Sequence, residues 1–189
     1  MYSNDVQRLI ERSSMFMFIS VIASLFSVIM IMIAVNFLSG DLPSAIAVKY
    51  DQVLTFPGLN AVTGLTAASS IMAIVGGFMV YMARASLNRR EFLGLPSIIT
   101  ISLVLILIAL VSVIGIYVIY QSYVGLAGMI GPLLPGTFSL VISIVLLLIS
   151  LVLTFLALTM INEIRRKYSP RRMRRRQPPP PPPPPSPPV

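Results

Sequence analysis

The chain has 189 residues, of which 56% are hydrophobic and only 11% are charged, and its formal net charge is +8. Soluble domains have about a quarter of their residues charged, so this composition excludes an ordinary soluble domain and indicates a membrane protein. The chain has no cysteine and no histidine, which removes disulfides, thiol catalysis and the commonest ligands of zinc, haem and copper.

The N-terminal part of the chain contains a short polar segment and the first predicted span. Residues 1–13 place apolar side chains at helical spacing opposite charged ones, which predicts an amphipathic helix running into the membrane. Residues 14–38 are far longer than the about 7 to 15 apolar residues of a secretory signal, and are therefore predicted to span. Ser20, Ser24 and Ser27 place three hydroxyls on one face of this helix. They indicate either a polar track for a solute or close packing against another helix.

The second predicted span, residues 61–83, differs from the others because it is rich in small residues. Ser69, Ala73 and Gly77 follow one another at intervals of four, a pattern that lets two helix backbones approach closely in lipid. These three residues are therefore predicted to be a helix-packing ridge at the centre of a bundle. The alternative is a helix broken at residues 76 and 77, as in transporters that bind substrate at such breaks.

The last two predicted spans are residues 98–120 and residues 137–161. The third span is mostly Ile, Leu, Val and Ser, and Ile106 is expected to face lipid. The fourth span contains no ionisable residue and carries two hydroxyl pairs, each spaced by four, close to three helical turns apart. These four side chains are predicted to form one internal packing seam: Ser139, Ser143, Ser150 and Thr154.

The C-terminal segment, residues 162–189, combines a basic cluster with a polyproline run and is predicted to be a disordered tail. The basic cluster is predicted to contact anionic lipid at the membrane surface, and it consists of Arg165, Arg166, Lys167, Arg171, Arg172, Arg174, Arg175 and Arg176. Residues 178–185 are all proline, and such a preformed helix can bind an aromatic-lined groove of a proline-recognition protein. The alternatives are a stop-transfer signal and a stiff spacer.

The distribution of basic residues predicts the orientation. Arginines precede the first span, occur in residues 84–96 and follow the last span, so these parts and both termini are expected in the cytoplasm. Residues 39–60 and 121–136 are then external loops, and the first of them has a pattern that leaves helix or strand undecided. The predicted fold is an all-α, polytopic integral protein of the cell membrane, with a four-helix bundle over residues 14–161.

The predicted function follows from what the spans contain. No Asp, Glu, Lys or Arg lies between the inferred membrane boundaries, which argues against pumps and proton-coupled carriers. No nucleotide-binding or zinc motif occurs, so we expect no enzyme, cofactor or metal site, and no nucleic-acid partner. The leading hypothesis is a scaffold or small subunit of a larger membrane assembly, or a homo-oligomer. The alternative is a transport or channel subunit with a hydroxyl-lined path between the first and fourth helices.

Overall fold

The computed structural model of the chain describes residues 4–50, 57–91, 94–127 and 134–168, with side chains described for 4–37, 61–91, 94–122 and 135–166. These residues form four helices, α1 (Asn4–Tyr50), α2 (Pro57–Asn88), α3 (Leu95–Ala127) and α4 (Leu134–Tyr168), and the described residues contain no strand. All four are long and apolar enough to cross a membrane by length and composition. The prediction of an all-helical protein with four candidate spans is confirmed.

The helices are longer than the predicted spans. α1 has 47 residues, or about 70 Å at about 1.5 Å per residue, more than twice the about 30 Å of a hydrocarbon core. The described part of the N-terminal segment, from Asn4, belongs to the same continuous helix as the first predicted span. Residues 39–50, which the sequence leaves undecided, are helical, and the helix passes through Pro43 although this residue cannot donate a backbone hydrogen bond.

Viewed along the bundle, the four helices occupy the corners of a square, and helices that follow each other in the chain are neighbours. α1 contacts α4 most extensively and α2 next, α3 packs on both α2 and α4, and α1 and α3 touch little because they lie on a diagonal. Contacts between distant residues show that neighbours run antiparallel. Ser20 meets Ser150 and Ser27 meets Ser143 between α1 and α4, and Ser14 meets Asn88 while Ser24 meets Ala73 between α1 and α2. Between α2 and α3, Gly76 lies against Ile106 and Gly115 lies against Leu65. The start of α1, the end of α2, the start of α3 and the end of α4 thus share one end of the bundle.

The outside and the inside of the bundle differ in a way that suits lipid. Large apolar side chains are exposed along all four helices, for example Phe18, Phe78, Val111 and Phe155. On a soluble protein such an apolar surface would be an interaction or aggregation site, whereas in a bilayer it faces the acyl chains. Among the described side chains, every buried polar residue is a serine or a threonine. The polar content of the core is therefore neutral and consists of hydroxyls.

Candidate functional site

The most extensive polar contact in the bundle joins α1 to α4. We call it the hydroxyl seam, and it consists of Ser20, Ser27, Ser143, Ser150 and Thr154, all fully buried. At its centre Ser20 Oγ lies 2.8 Å from Ser150 Oγ and 2.7 Å from Thr154 Oγ1. Ser150 Oγ donates to the Ser20 carbonyl oxygen at 3.1 Å, and Thr154 Oγ1 donates to the Ser150 carbonyl oxygen at 2.8 Å. Each of the three hydroxyls can therefore donate one hydrogen bond without competition.

A second contact of the seam is a single isolated pair. Ser27 Oγ and Ser143 Oγ lie 2.9 Å apart, and either oxygen can be the donor. This pair lies one heptad from the Ser20 and Ser150 pair on both helices, since α1 and α4 run in opposite directions. A seven-residue interval keeps one face of each helix against the other when the helices coil around each other with a left-handed twist.

The same interval continues beyond the hydroxyls. Seven residues further along, Ala34 on α1 and Gly136 on α4 are both buried, and a Cβ atom on Gly136 would lie 3.7 Å from the Ala34 carbonyl oxygen and 3.3 Å from Phe37 Cβ. In the other direction the interval leads to Ser13 and Ala157, which are also buried. Small side chains thus line the α1–α4 contact at four positions on each helix, three heptad steps in all, and allow the backbones to approach closely.

The predicted packing ridge of α2 contacts α1 at Ala73 and Gly77, whereas the hydroxyl of Ser69 bonds within α2 itself. Ser24 Oγ donates to the Ala73 carbonyl oxygen at 2.6 Å, and a Cβ atom on Gly77 would lie only 3.1 Å from Ser24 Oγ. Ser69 is fully buried, and its hydroxyl donates to the Thr66 carbonyl oxygen of α2 at 3.0 Å. Ser24 therefore faces α2, whereas Ser20 and Ser27 face α4. The three α1 hydroxyls predicted to share one face contact two different helices.

The contact of α2 with α3 was not anticipated. A Cβ atom on Gly76 would lie 3.0 Å from Ile106 Cγ1 and 3.4 Å from the Ser102 carbonyl oxygen. The expectation that Ile106 faces lipid is wrong, because its side chain is fully buried. α2 is also continuous through Gly76 and Gly77, so the two adjacent glycines bring α3 and α1 close on two sides without a break in the helix.

The remaining predicted packing residue of α4, Ser139, is buried but donates to the Pro135 carbonyl oxygen of its own helix at 2.9 Å. It does not share the bonds of the hydroxyl seam. Within the described side chains, Ser13 Oγ and Ser70 Oγ are buried and have no hydrogen-bond partner. These two serines are useful references, because they have the same chemistry and burial as the seam serines but no bond.

The end of the bundle where α1 begins and α4 ends carries most of the described charge, and we call it the basic end. There Arg84 Nε donates to Ser14 Oγ at 3.1 Å, and the Arg84 guanidinium carbon lies 4.5 Å from the centre of the Phe18 ring. Ser14 Oγ in turn donates to Asn88 Oδ1 at 3.3 Å. Arg84 is thus held in place by α1 on two sides, through a hydrogen bond and a cation–π contact.

At the basic end, α2 terminates with an arginine in a backbone conformation that usually requires glycine. Glu91 N donates to the Ser86 carbonyl oxygen at 2.9 Å and Arg90 N donates to the Leu87 carbonyl oxygen at 3.0 Å, which together form a Schellman motif. The residue in the left-handed position of such a motif is usually glycine, but here it is Arg90, with a φ of 62°. Its backbone conformation is therefore strained.

The basic cluster of the tail is described only at its start. Arg165 and Arg166 are exposed near the end of α4. The side chain of Lys167 lies outside the described side chains, and outside the described residues altogether lie Arg171, Arg172, Arg174, Arg175, Arg176 and the polyproline run. An apolar groove of about 390 Å³ on the outer surface of the bundle is lined by three residues of α3 and four of α4, namely Leu103, Val104, Leu107, Leu151, Val152, Phe155 and Leu156.

The described part of the chain contains no group of three Asp or Glu residues that could hold a metal ion. Comparison with models of protein families, with curated proteins and with solved structures finds no match to this chain. The described residues form a four-helix bundle whose helices have the length and composition of membrane spans, and this fold defines the class as a candidate multi-pass membrane protein.

Proposed function

We propose that the chain is a non-enzymatic scaffold or small subunit of a larger assembly in the cell membrane, with both termini in the cytoplasm. The observation that carries this proposal is the hydroxyl seam. The Oγ atom of Ser20 lies 2.8 Å from Ser150 Oγ and 2.7 Å from Thr154 Oγ1, and all three side chains are fully buried. Hydroxyls bonded directly across two helices hold a bundle together.

The transport alternative would use the same hydroxyls for a solute. A path between α1 and α4 needs space for the solute, and its lining hydroxyls must be able to bond to it. The 2.9 Å between Ser27 Oγ and Ser143 Oγ, and the shorter distances at Ser20, favour packing over a path. The polar residues of the bundle are then structural, and the interactions with partners are assigned to the outer surface and the tail.

The tail is the proposed interaction segment. Arg165 and Arg166 are exposed where α4 leaves the bundle, which is the position from which the basic cluster could contact anionic lipids of the inner leaflet. Each Lys or Arg held near such a surface contributes about 1 kcal/mol to membrane binding. The polyproline run is proposed to bind a partner with an aromatic-lined groove, since a preformed proline helix loses little conformational entropy on binding.

The proposal is tested by affinity purification from native membranes after cross-linking. The full chain is compared with a chain that ends at residue 164 and with a full-length chain in which alternate prolines of residues 178–185 are replaced by alanine. A partner in fixed ratio to the full chain is expected. Its loss from both variants assigns it to the polyproline run, and its retention in both assigns the contact to the bundle. If the full chain is recovered without any partner in fixed ratio and as a single copy, the scaffold and subunit proposal is wrong.

A further inference from the structure

We propose that Arg84 binds the phosphate of an anionic phospholipid at the groove between α1 and α2. This site lies on the bundle, is separate from the basic cluster of the tail, and does not depend on the proposed function. It rests on how Arg84 is held, on which of its hydrogen-bond donors are left over, and on the apolar surface beside it.

The guanidinium of Arg84 is fixed in position by two contacts, but most of its N–H donors have no acceptor among the described residues. Its Nε donates to Ser14 Oγ at 3.1 Å, and the Phe18 ring lies 4.5 Å from its central carbon. A guanidinium has five N–H donors, and within the described part of the chain Arg84 makes no other hydrogen bond and no ion pair. Four N–H donors on the two terminal nitrogens therefore remain for a ligand, together with an unpaired positive charge.

The location of Arg84 makes an unpaired charge costly. Arg84 is partly buried and lies within α2, directly after the buried Ala83 and one turn before Asn88. A charged side chain near the edge of the hydrocarbon region is stabilised when an opposite charge or strong acceptors reach it. A phosphate has that charge, and its planar pair of oxygens matches the paired donors of a guanidinium, which binds such groups bidentately.

The surroundings indicate a lipid as the source of the phosphate. Toward the middle of the bundle, exposed apolar side chains follow Arg84 on both helices: Phe18 is 46% exposed, Tyr81 53% and Phe78 59%. Acyl chains attached to the phosphate can lie along this surface, whereas a free phosphate cannot use it. Toward water, the groove between the helices is lined by Glu11 and Arg90, so charges of both signs lie beyond the site.

The same geometry predicts a preference among phospholipids. A zwitterionic headgroup carries its own cation beside the phosphate and leaves the charge of Arg84 only partly neutralised. An anionic lipid such as phosphatidylglycerol neutralises it, so that lipid should bind more tightly than phosphatidylcholine.

The test is native mass spectrometry of the full-length protein in detergent, titrated separately with phosphatidylglycerol, phosphatidylcholine and inorganic phosphate. We expect one phosphatidylglycerol molecule to be retained more tightly than the rest, and Arg84→Gln to weaken that first binding by about tenfold because a charge-assisted bidentate contact is lost. Arg84→Lys should fall between the two, since lysine keeps the charge without the paired donors. Arg89→Gln is the matched control, because Arg89 is exposed and the same charge is removed.

Two further measurements separate this site from folding and from the tail. Thermal unfolding in lipid-free detergent gives the baseline of each variant, because Arg84→Gln also removes the contacts to Ser14 and Phe18. Relative to that baseline, added phosphatidylglycerol should raise the unfolding temperature less for Arg84→Gln than for Arg89→Gln. A variant with glutamine in place of the five arginines between residues 171 and 176 should keep the first binding event. Equal weakening by Arg84→Gln and Arg89→Gln, equal retention of the two lipids, or full competition by inorganic phosphate at equal concentration would overturn the proposal.

Discussion

The bond between Ser27 and Ser143 offers the clearest measurement of what the hydroxyl seam contributes to stability. The two hydroxyl oxygens lie 2.9 Å apart, and neither makes another hydrogen bond with the described residues. Ser27→Ala or Ser143→Ala therefore removes the same bond, and the second substitution in the double variant has no bond left to remove. A double-mutant cycle on this pair isolates one interhelical hydrogen bond.

The expected size follows from the burial of both side chains. Hydrogen bonds between helices in membranes contribute about 0.6 kcal/mol on average and at most about 1.7 kcal/mol. Both serines of this pair are fully buried, so water does not compete for the bond. Each single variant leaves one buried hydroxyl without its partner, although that hydroxyl can turn to a carbonyl of its own helix. We expect each single variant to lose about 1 kcal/mol and the coupling energy to be about 0.6 to 1 kcal/mol.

The assay is reversible unfolding in mixed micelles with increasing sodium dodecyl sulfate, followed by circular dichroism, because the chain has no tryptophan for fluorescence. Ser70→Ala is the matched control, since Ser70 is buried and its hydroxyl has no partner among the described residues. Its removal should change the unfolding free energy by less than about 0.3 kcal/mol or stabilise the fold. A coupling energy near zero for Ser27 and Ser143, or an equal loss at Ser70, would refute the proposed role of the seam.

Three further outcomes are expected. Gly77→Leu should cost about 1 to 3 kcal/mol by overpacking against Ser24, whereas Gly64→Leu on the same helix should cost much less because no atom lies within 4 Å of its Cβ position; equal unfolding midpoints would contradict this. Arg90→Gly should stabilise the fold by about 1 kcal/mol by relieving the left-handed backbone, and a clear loss in the unfolding assay would mean that the arginine side chain outweighs the strain. Single cysteines at positions 46 and 88 test the proposed orientation: an impermeant reagent on intact cells should label position 46, and labelling of position 88 alone would reverse it.

The four helices that are long and apolar enough to span a membrane could be predicted because the signal is strong and local. Long apolar stretches without ionisable residues leave few alternatives to spanning helices, and each predicted span lies within one helix. The ends of the helices could not be predicted as well. Pro43 and the mixed pattern around it suggested a loop, whereas α1 continues to Tyr50.

The packing of the helices was predictable only in part. Spacing along a helix shows which residues share a face, but it does not show which helix lies opposite that face. Ser20, Ser24 and Ser27 therefore looked like one stripe, although Ser24 bonds to α2 and the other two bond to α4. The seven-residue repeat of small residues on both helices was the signal that could have joined α1 to α4, because the two repeats match in opposite directions.

The error at Ile106 has a different cause. In a membrane helix the core-facing and lipid-facing sides are both apolar, so hydrophobicity does not separate them. Large apolar side chains lie on both the buried and the exposed sides of α3, and Ile106 lies on the buried side, where a Cβ atom on Gly76 of α2 would be 3.0 Å from its Cγ1. Close contacts to glycine depend on which helices are neighbours, and that information is not local in the sequence.

The most direct test of the central claim, that the hydroxyls of α1 and α4 are a closed packing seam, uses the absence of cysteine from the chain. Ser20→Cys, Ser143→Cys and Ser150→Cys each place a thiol of nearly serine size in the seam, and Asn88→Cys places one on an exposed residue at the basic end. Each purified variant is exposed to a small charged methanethiosulfonate reagent after its elution volume is shown to match the unsubstituted protein. We expect rapid labelling at position 88 and none at the three seam positions over the same time. Labelling of the seam positions at a rate comparable to position 88 would show a water-filled path between α1 and α4 and would contradict the account.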